Sequence, residues 1–197
     1  MEQLREEEEH ADFVIALDRG YDYLREADCL PDLLLGDFDS MEESQNRIPE
    51  SIEMIRYPAE KDATDTQLGI ETAIARGASE IRILGAFGKR QDHFLGNLDA
   101  LLIALRAGVD ARLIDPWNCM YLMQGSRTLK RTSNYVSILP YTDRVEGVTL
   151  RGFRYELTDY CMEKGSTLGI SNEIPQEEAE VSCRSGILIV VESDDER

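Results

Sequence analysis

The carboxylates of this chain fall in a pattern suited to holding a cation. Leu35-Gly36-Asp37-Phe38-Asp39-Ser40 sets two carboxylates two residues apart, on one side of an extended segment. Glu60-Lys61-Asp62-Ala63-Thr64-Asp65 adds more where a helix is expected to begin, and Asp18 closes an apolar run at Asp18-Arg19-Gly20. A single Asp after a strand is usually a turn residue or a cap, and Asp65 alone could complement a helix dipole. Four carboxylates in one crevice are different, because they repel one another unless a hard cation sits between them. Oxygen ligands with retained water suit Mg²⁺, commonly bridged to substrate phosphates.

A second polar segment reads Gly85-Ala86-Phe87-Gly88-Lys89-Arg90-Gln91-Asp92-His93. Glycines let backbone amides approach a phosphate, and cations neutralise charge that moves during its transfer. The P-loop pattern GxxxxGK[ST] is absent. Alone, the segment is equally an ordinary glycine-basic turn.

The elements that must position these groups follow one repeated phrase in the first half: apolar strand, polar loop, helix. The apolar runs Phe13–Leu17, Leu33–Leu35, Ile81–Leu84 and Ala111–Ile114 each end at Asp or Gly. Ala75-Arg76-Gly77 and Arg106-Ala107-Gly108 echo each other as helix ends, each followed within a few residues by a strand. Such alternation predicts parallel pairing, with ligands at the carboxyl ends of the strands. Thr64-Asp65-Thr66-Gln67 fits a capping box. Leu95, Leu98, Leu102 and Leu105 recur at helical spacing and predict a buried stripe. Beyond Gly125 the runs Tyr135–Leu139, Val148–Leu150, Tyr155–Leu157, Glu180–Cys183 and Ile187–Val191 are short, with Gly, Pro, Asp and Asn between them. The expected architecture is α/β: a parallel-sheet, Rossmann-like domain over residues 1–126, then a small all-β sandwich over 127–197.

Charge narrows the partners. With 21 basic against 39 acidic side chains in 197 residues, the chain carries −18, a balance that disfavours nucleic acid and anionic membranes. A polyphosphate substrate would therefore need a divalent cation. No apolar run approaches the roughly 18 residues of a membrane span, and the acidic Met1–His10 is unlike a signal peptide. Cys29, Cys119, Cys161 and Cys183 are far apart, and only His10 and His93 accompany them. Zinc spacing is absent, the cysteines read as small apolar fillers, and a reducing cytoplasm is the expected compartment.

In this order the segments resemble thiamine pyrophosphokinases (thiamine diphosphokinases). The resemblance runs from about Phe13 to Val191. It is carried by Asp18-Arg19-Gly20 with Tyr23-Leu24, Pro31-Asp32, Gly36-Asp37-Phe38-Asp39-Ser40, Lys61-Asp62-Ala63-Thr64-Asp65, Gly88–His93, Gly165-Ser166-Thr167 and Ser171-Asn172. It implies a homodimeric enzyme that transfers the pyrophosphoryl group of ATP to thiamine with Mg²⁺. It further implies that Asp37, Asp39, Asp62 and Asp65 hold metal and polyphosphate and that Asp92 joins them in catalysis. Gly88, Lys89, Arg90, Asp92 and His93 would face the nucleotide. Asp18, Tyr155, Ser166, Ser171 and Asn172 would face thiamine, with Tyr155 at the place of a stacking Trp and Ser171 and Asn172 against the aminopyrimidine. The family normally begins with a strand and a glycine-containing loop, where this chain has the acidic, helix-like Met1–His10. Two other classes remain open at this level. An apolar strand followed by D-x-D also fits an aspartyl-phosphate phosphatase, and a thiamine or nucleotide sensor could share the fold without turnover.

Overall fold

The computed structural model describes residues 1–38, 48–58, 60 and 62–195. Asp39 and Lys61 lie outside the described residues. The chain opens with α1 (Glu2–Glu9), then β1 (Ile15–Leu17), α2 (Gly20–Glu26), β2 (Leu33–Gly36), β3 (Glu53–Arg56), α3 (Asp65–Ala75), β4 (Glu80–Leu84), α4 (Gln91–Arg106) and β5 (Asp110–Ile114). Seven strands follow: β6 (Asn118–Met123), β7 (Ser126–Lys130), β8 (Tyr135–Pro140), β9 (Arg144–Arg151), β10 (Leu157–Glu163), β11 (Glu178–Ser182) and β12 (Leu188–Ser193).

Parallel pairing is present but divided between two sheets. β1-β2-β3 form one three-stranded parallel sheet. β4 and β5 pair in parallel within another, of order β4-β5-β6-β12-β8, whose remaining ladders are antiparallel. This five-stranded sheet crosses the 126/127 position, since β6 from before it pairs with β12 from after it. A four-stranded antiparallel sheet, β10-β9-β11-β7, completes the structure.

Each layer has its own core. Tyr121, Met123, Val136, Ile138, Leu188 and Val190 of the five-stranded sheet pack against Val148, Leu150, Met162 and Val181 of the four-stranded one, which makes the sandwich. Its other face, including Leu113 and Leu122, lies against Leu101 and Ala104 of α4 and Ile70 of α3. The three-stranded sheet packs Ala16 and Leu34 with Tyr21 and Leu24 of α2. α1 ties these parts together. Leu4 packs beside Ala16 and Tyr21, Arg5 donates to the Ala27 carbonyl at 2.7 Å, and Glu7 pairs with Arg82 of β4 at 3.0 Å.

Local chemistry accounts for the helix boundaries. Thr64 is the N-cap of α3, its hydroxyl accepting from the Gln67 N–H at 3.2 Å; the Gln67 amide turns along the helix to Glu71 at 2.8 Å. The echoing helix ends close alike. Ala78 N–H reaches the Ala73 carbonyl past Gly77, and Val109 N–H reaches that of Ala104 past Gly108. Both glycines are left-handed, at φ +87° and +74°. Of the expected leucine stripe of α4, Leu98, Leu102 and Leu105 pack partly buried against the core. Asn97, Ala100, Leu101 and Ala104 are the buried positions, while Leu95 is 57% exposed. Small residues let the helix sit close to the sheet, which rotates the leucines to the flanks. Tyr155 likewise lies in the turn before β10 rather than in a strand.

The segment before β11 runs along β8, the last strand of the five-stranded sheet. Ile138 N–H donates to the Gly169 carbonyl and Val136 N–H to that of Asn172, both at 2.8 Å. A β-carbon on Gly169 would stand 2.0 Å from the Ile138 carbonyl oxygen. Gly169→Ala is therefore expected to destabilise the protein by about 1–3 kcal/mol, read by urea denaturation. An unchanged midpoint would show that this segment is not seated on β8.

Candidate active site

Three of the expected carboxylates meet beyond the carboxyl ends of β1 and β2. Parallel pairing sets Leu17 opposite Leu35, so Asp18 stands beside Gly36. The Asp18 N–H donates to the Leu35 carbonyl at 3.0 Å, and its backbone is left-handed at φ 42°. Its carboxylate lies over the bare α-carbon of Gly36, where a β-carbon would fall 1.7 Å from Oδ1. Any other side chain at 36 would expel it. The Asp18 carboxyl is pushed up to about 6, first by burial, then by a hydrogen bond and charge from Asp65 and by the charge of Asp37. The Phe38 backbone N–H acts weakly the other way. Asp65 arrives as the first residue of α3, the helix that packs Gly69 against Leu17. Asp62 is exposed in the turn ahead of it.

Among the described residues no group of three or more His, Cys, Asp or Glu could hold an ion by itself. Asp18 Oδ1 is nevertheless buried with no hydrogen-bond partner, next to two further carboxylates. An all-oxygen set short of a full shell fits Mg²⁺, which keeps waters and takes its remaining ligands from phosphate.

The glycine-basic segment follows β4, in the five-stranded sheet. Gly85 is left-handed at φ +75°, and the loop is pinned from below by Asn97, buried in α4, whose amide donates to the Ala86 carbonyl at 3.0 Å. Gly88, Lys89, Arg90, Asp92 and His93 are all exposed. Arg90 and Asp92 form a two-bonded pair at 3.2 and 2.5 Å. The Arg90 guanidinium holds the Asp92 carboxyl down to about 2.

The distal residues gather elsewhere, along the outer edge of β8. Asn172 is buried, and its amide clasps the backbone of Tyr155: Nδ2 donates to the Tyr155 carbonyl at 2.8 Å and Oδ1 accepts the Tyr155 N–H at 3.0 Å. Ser171, left-handed at φ 56°, donates its N–H to Ser137 Oγ at 3.0 Å. Ser166 Oγ accepts from the Leu168 N–H at 3.4 Å. Tyr155, Leu168 and Ile170 are large apolar side chains left exposed around them.

Comparison with known proteins places this arrangement. Residues 4–113 match the family described as "Thiamin pyrophosphokinase, catalytic domain", and residues 126–188 match "Thiamin pyrophosphokinase, vitamin B1 binding domain". A thiamine pyrophosphokinase of Bacillus subtilis (strain 168) is 36% identical over 186 residues, covering 92% of this chain and 87% of the relative. The chain belongs to the thiamine pyrophosphokinase family. The crystal structure of thiamine pyrophosphokinase from Bacillus subtilis superposes with a TM-score of 0.87 at 34% identity, over 92% of this chain and 87% of that one. That of Geobacillus thermodenitrificans gives 0.83 at 34% identity, over 92% and 86%. The thiamine pyrophosphokinase catalytic region contains both the carboxylates and the glycine-basic loop. The vitamin B1 region contains Tyr155, Ser166, Ser171 and Asn172.

Asn97 was not singled out from the sequence as part of the site. Its signal was available: an amide placed among leucines on a helix face requires a partner. No local pattern announces that Asn172 grips a backbone 17 residues away.

The Asp18 carboxyl takes up a proton more readily in the folded protein than its ordinary value of 3.8 allows. The stability this contributes is full below about pH 4 and lost as pH rises toward about 6. In metal-free protein, thermal unfolding of the wild type is expected to show this fall, and Asp18→Asn, which cannot ionise, to flatten it. Identical profiles would contradict the crowding of these carboxylates.

Proposed function

We propose that this chain transfers the pyrophosphoryl group of ATP to the hydroxyl of thiamine, giving thiamine diphosphate and AMP. The observation that carries this reading is the meeting of Asp18, Asp37 and Asp65 in a chain that matches both family regions. In the reaction the thiamine hydroxyl oxygen attacks the β-phosphorus of ATP, and the bridging oxygen leaves with AMP. Such transfer is governed mostly by alignment and charge neutralisation. Asp37, Asp39, Asp62 and Asp65 would hold Mg²⁺, which when bound supplies charge neutralisation on the phosphate oxygens. Asp18 completes the carboxylate wall around the hydroxyl, and a carboxylate of this group takes its proton.

The glycine-basic loop would receive the rest of the nucleotide. Gly88 offers backbone without a side chain, and Lys89 and His93 flank it. Arg90 can exchange the Asp92 carboxylate for phosphate oxygens, leaving Asp92 to order the loop. Thiamine would lie against Tyr155, with Ser166, Ser171 and the Asn172 region forming the rest of its seat.

A homodimer with shared sites is supported by the sheet. The carboxylates follow strands of the three-stranded sheet, which α1 joins through Glu7 and Arg82 to the β4 edge of the five-stranded sheet. The distal residues lie along β8 at its opposite edge. Four inter-strand spacings, about 19 Å, separate β4 from β8, which favours a site shared between two copies. A second copy would bring β8 of one protomer to the carboxylates of the other. The four cysteines are free, in keeping with a reducing cytoplasm. Among the described residues no helix is long and apolar enough to cross a membrane.

The direct test is incubation with ATP, Mg²⁺ and thiamine, scoring AMP and thiamine diphosphate. Asp37→Asn and Asp65→Asn are expected to lower turnover at least about a hundredfold with thermal unfolding still cooperative. Near-normal turnover in either would remove the carboxylates from the mechanism. Mixing Asp65→Asn subunits with Tyr155→Ala subunits is expected to restore part of the activity, since one hybrid site then has both native halves. No restoration on verified mixing would argue for sites built within one chain.

A further inference from the structure

Asn172 has a more defined task than a general place beside the vitamin. Its side-chain oxygen has two acceptor positions, and both are occupied, by the N–H of Tyr155 at 3.0 Å and that of Glu173 at 2.9 Å. Its amide nitrogen donates to the Tyr155 carbonyl at 2.8 Å, and the residue is only 3% exposed. Its own carbonyl is fixed to β8 through the Val136 N–H. Such an amide has no acceptor left for a ligand and a single N–H uncommitted, on a side chain almost wholly buried. It is instead a rigid peg between the sheet edge and the 152–156 turn.

The turn it holds is fastened on each side. Phe153 is buried in the sandwich core, and the Gly152 N–H donates to Glu156 Oε1 at 2.8 Å. The Arg154 N–H bonds the Glu173 carbonyl at 2.8 Å, and its guanidinium bonds Glu173 Oε1 at 2.7 Å. That guanidinium lies 5.6 Å from the centre of the Tyr155 ring, so a cation already attends the aromatic system. The ring itself is 60% exposed. A turn so restrained, ending in a large exposed aromatic, is built to present that side chain.

We propose that Asn172 is a positioning residue, whose buried amide fixes the backbone of Tyr155 so that the tyrosine ring is held ready to stack on thiamine. This rests on the thiamine reading above and deepens it. Recognition at this end is then aromatic contact at Tyr155, and Asn172 acts through that contact without touching the substrate. Holding the ring in place before binding removes an ordering cost that the ligand would otherwise bear.

Amide hydrogen exchange and kinetics together test it. In Asn172→Ala, exchange of the Tyr155 N–H is expected to accelerate at least about tenfold, with the amides of β9 unchanged. The KM for thiamine is expected to rise about tenfold, the scale of one or two lost hydrogen bonds, with kcat and the KM for ATP changing far less. Asn172→Asp keeps both N–H contacts but sets a carboxylate oxygen against the Tyr155 carbonyl, so it too should raise the KM for thiamine. It also serves if the alanine variant does not fold. On a Tyr155→Ala background, Asn172→Ala should add little further loss. Losses that multiply in the double variant would overturn the proposal, because Asn172 would then meet thiamine directly. So would an unchanged thiamine KM in a variant whose Tyr155 amide has lost protection. A wild type that makes no thiamine diphosphate would overturn the thiamine reading, while the exchange measurement would still decide the clasp.

Discussion

The register of the five-stranded sheet is the constraint on which the rest depends. Both of its faces are covered, so alternate residues serve different cores. Leu188 and Val190 point into the sandwich, while Ile187 and Ile189 lie on the side of α4. In β6, Tyr121 and Met123 take the first side and Met120 and Leu122 the second. A slip of one residue would exchange every one of these. The same ladder delivers the loop after β4 to one edge and the 169–172 segment to the other. A polar brace fixes the join. Arg112 and Arg127 lie 5.0 and 4.7 Å from the ring centre of Tyr121, whose hydroxyl donates to Glu192 at 2.8 Å. Asp110 pairs with both arginines. Burial and the Glu192 charge raise the Tyr121 hydroxyl well above its ordinary range, so it stays a donor.

The acidic balance of the chain separates into two populations with different physics. The carboxylates of α1 are mostly solvated, and Glu7 is matched by Arg82. Asp18, Asp37 and Asp65 are held together against their repulsion by backbone geometry, namely the left-handed Asp18, the absent side chain of Gly36 and the start of α3. Burial and this proximity raise the Asp18 carboxyl to about 6. In the loop after β4 the opposite arrangement holds, since Arg90 and Asp92 neutralise each other in the open.

What could be read from the sequence was what short stretches of chain decide. The strand-then-Asp phrase, the Thr64 cap and the matched helix ends at Gly77 and Gly108 all depend on residues within a turn of one another. β3 could not be read so, because Glu53-Met54-Ile55-Arg56 is largely exposed and lacks alternation. β6 starts from Asn118 and owes its place to partners in β5 and β12. The leucine stripe was legible for Leu98, Leu102 and Leu105, which pack against the core, but Leu95 lies exposed because Asn97, Ala100, Leu101 and Ala104 take the closest approach of α4. At the site, the carboxylates were legible as motifs. The one-sided burial that singles out Asp18 was not, since it comes from a parallel neighbour 18 residues on.

That β6 precedes and β12 follows the vitamin-binding region has a consequence for how the chain can be divided. A fragment spanning residues 126–188 would retain β8 but only the first residue of β12, its hydrogen-bonding neighbour. Val136 and Ile138, wholly buried in the intact chain, would then face a row of unpaired backbone groups and open water. Strands in that condition tend to pair with other chains. The catalytic and vitamin-binding regions thus share one sheet, and neither can be cut out without baring strand edges of the other.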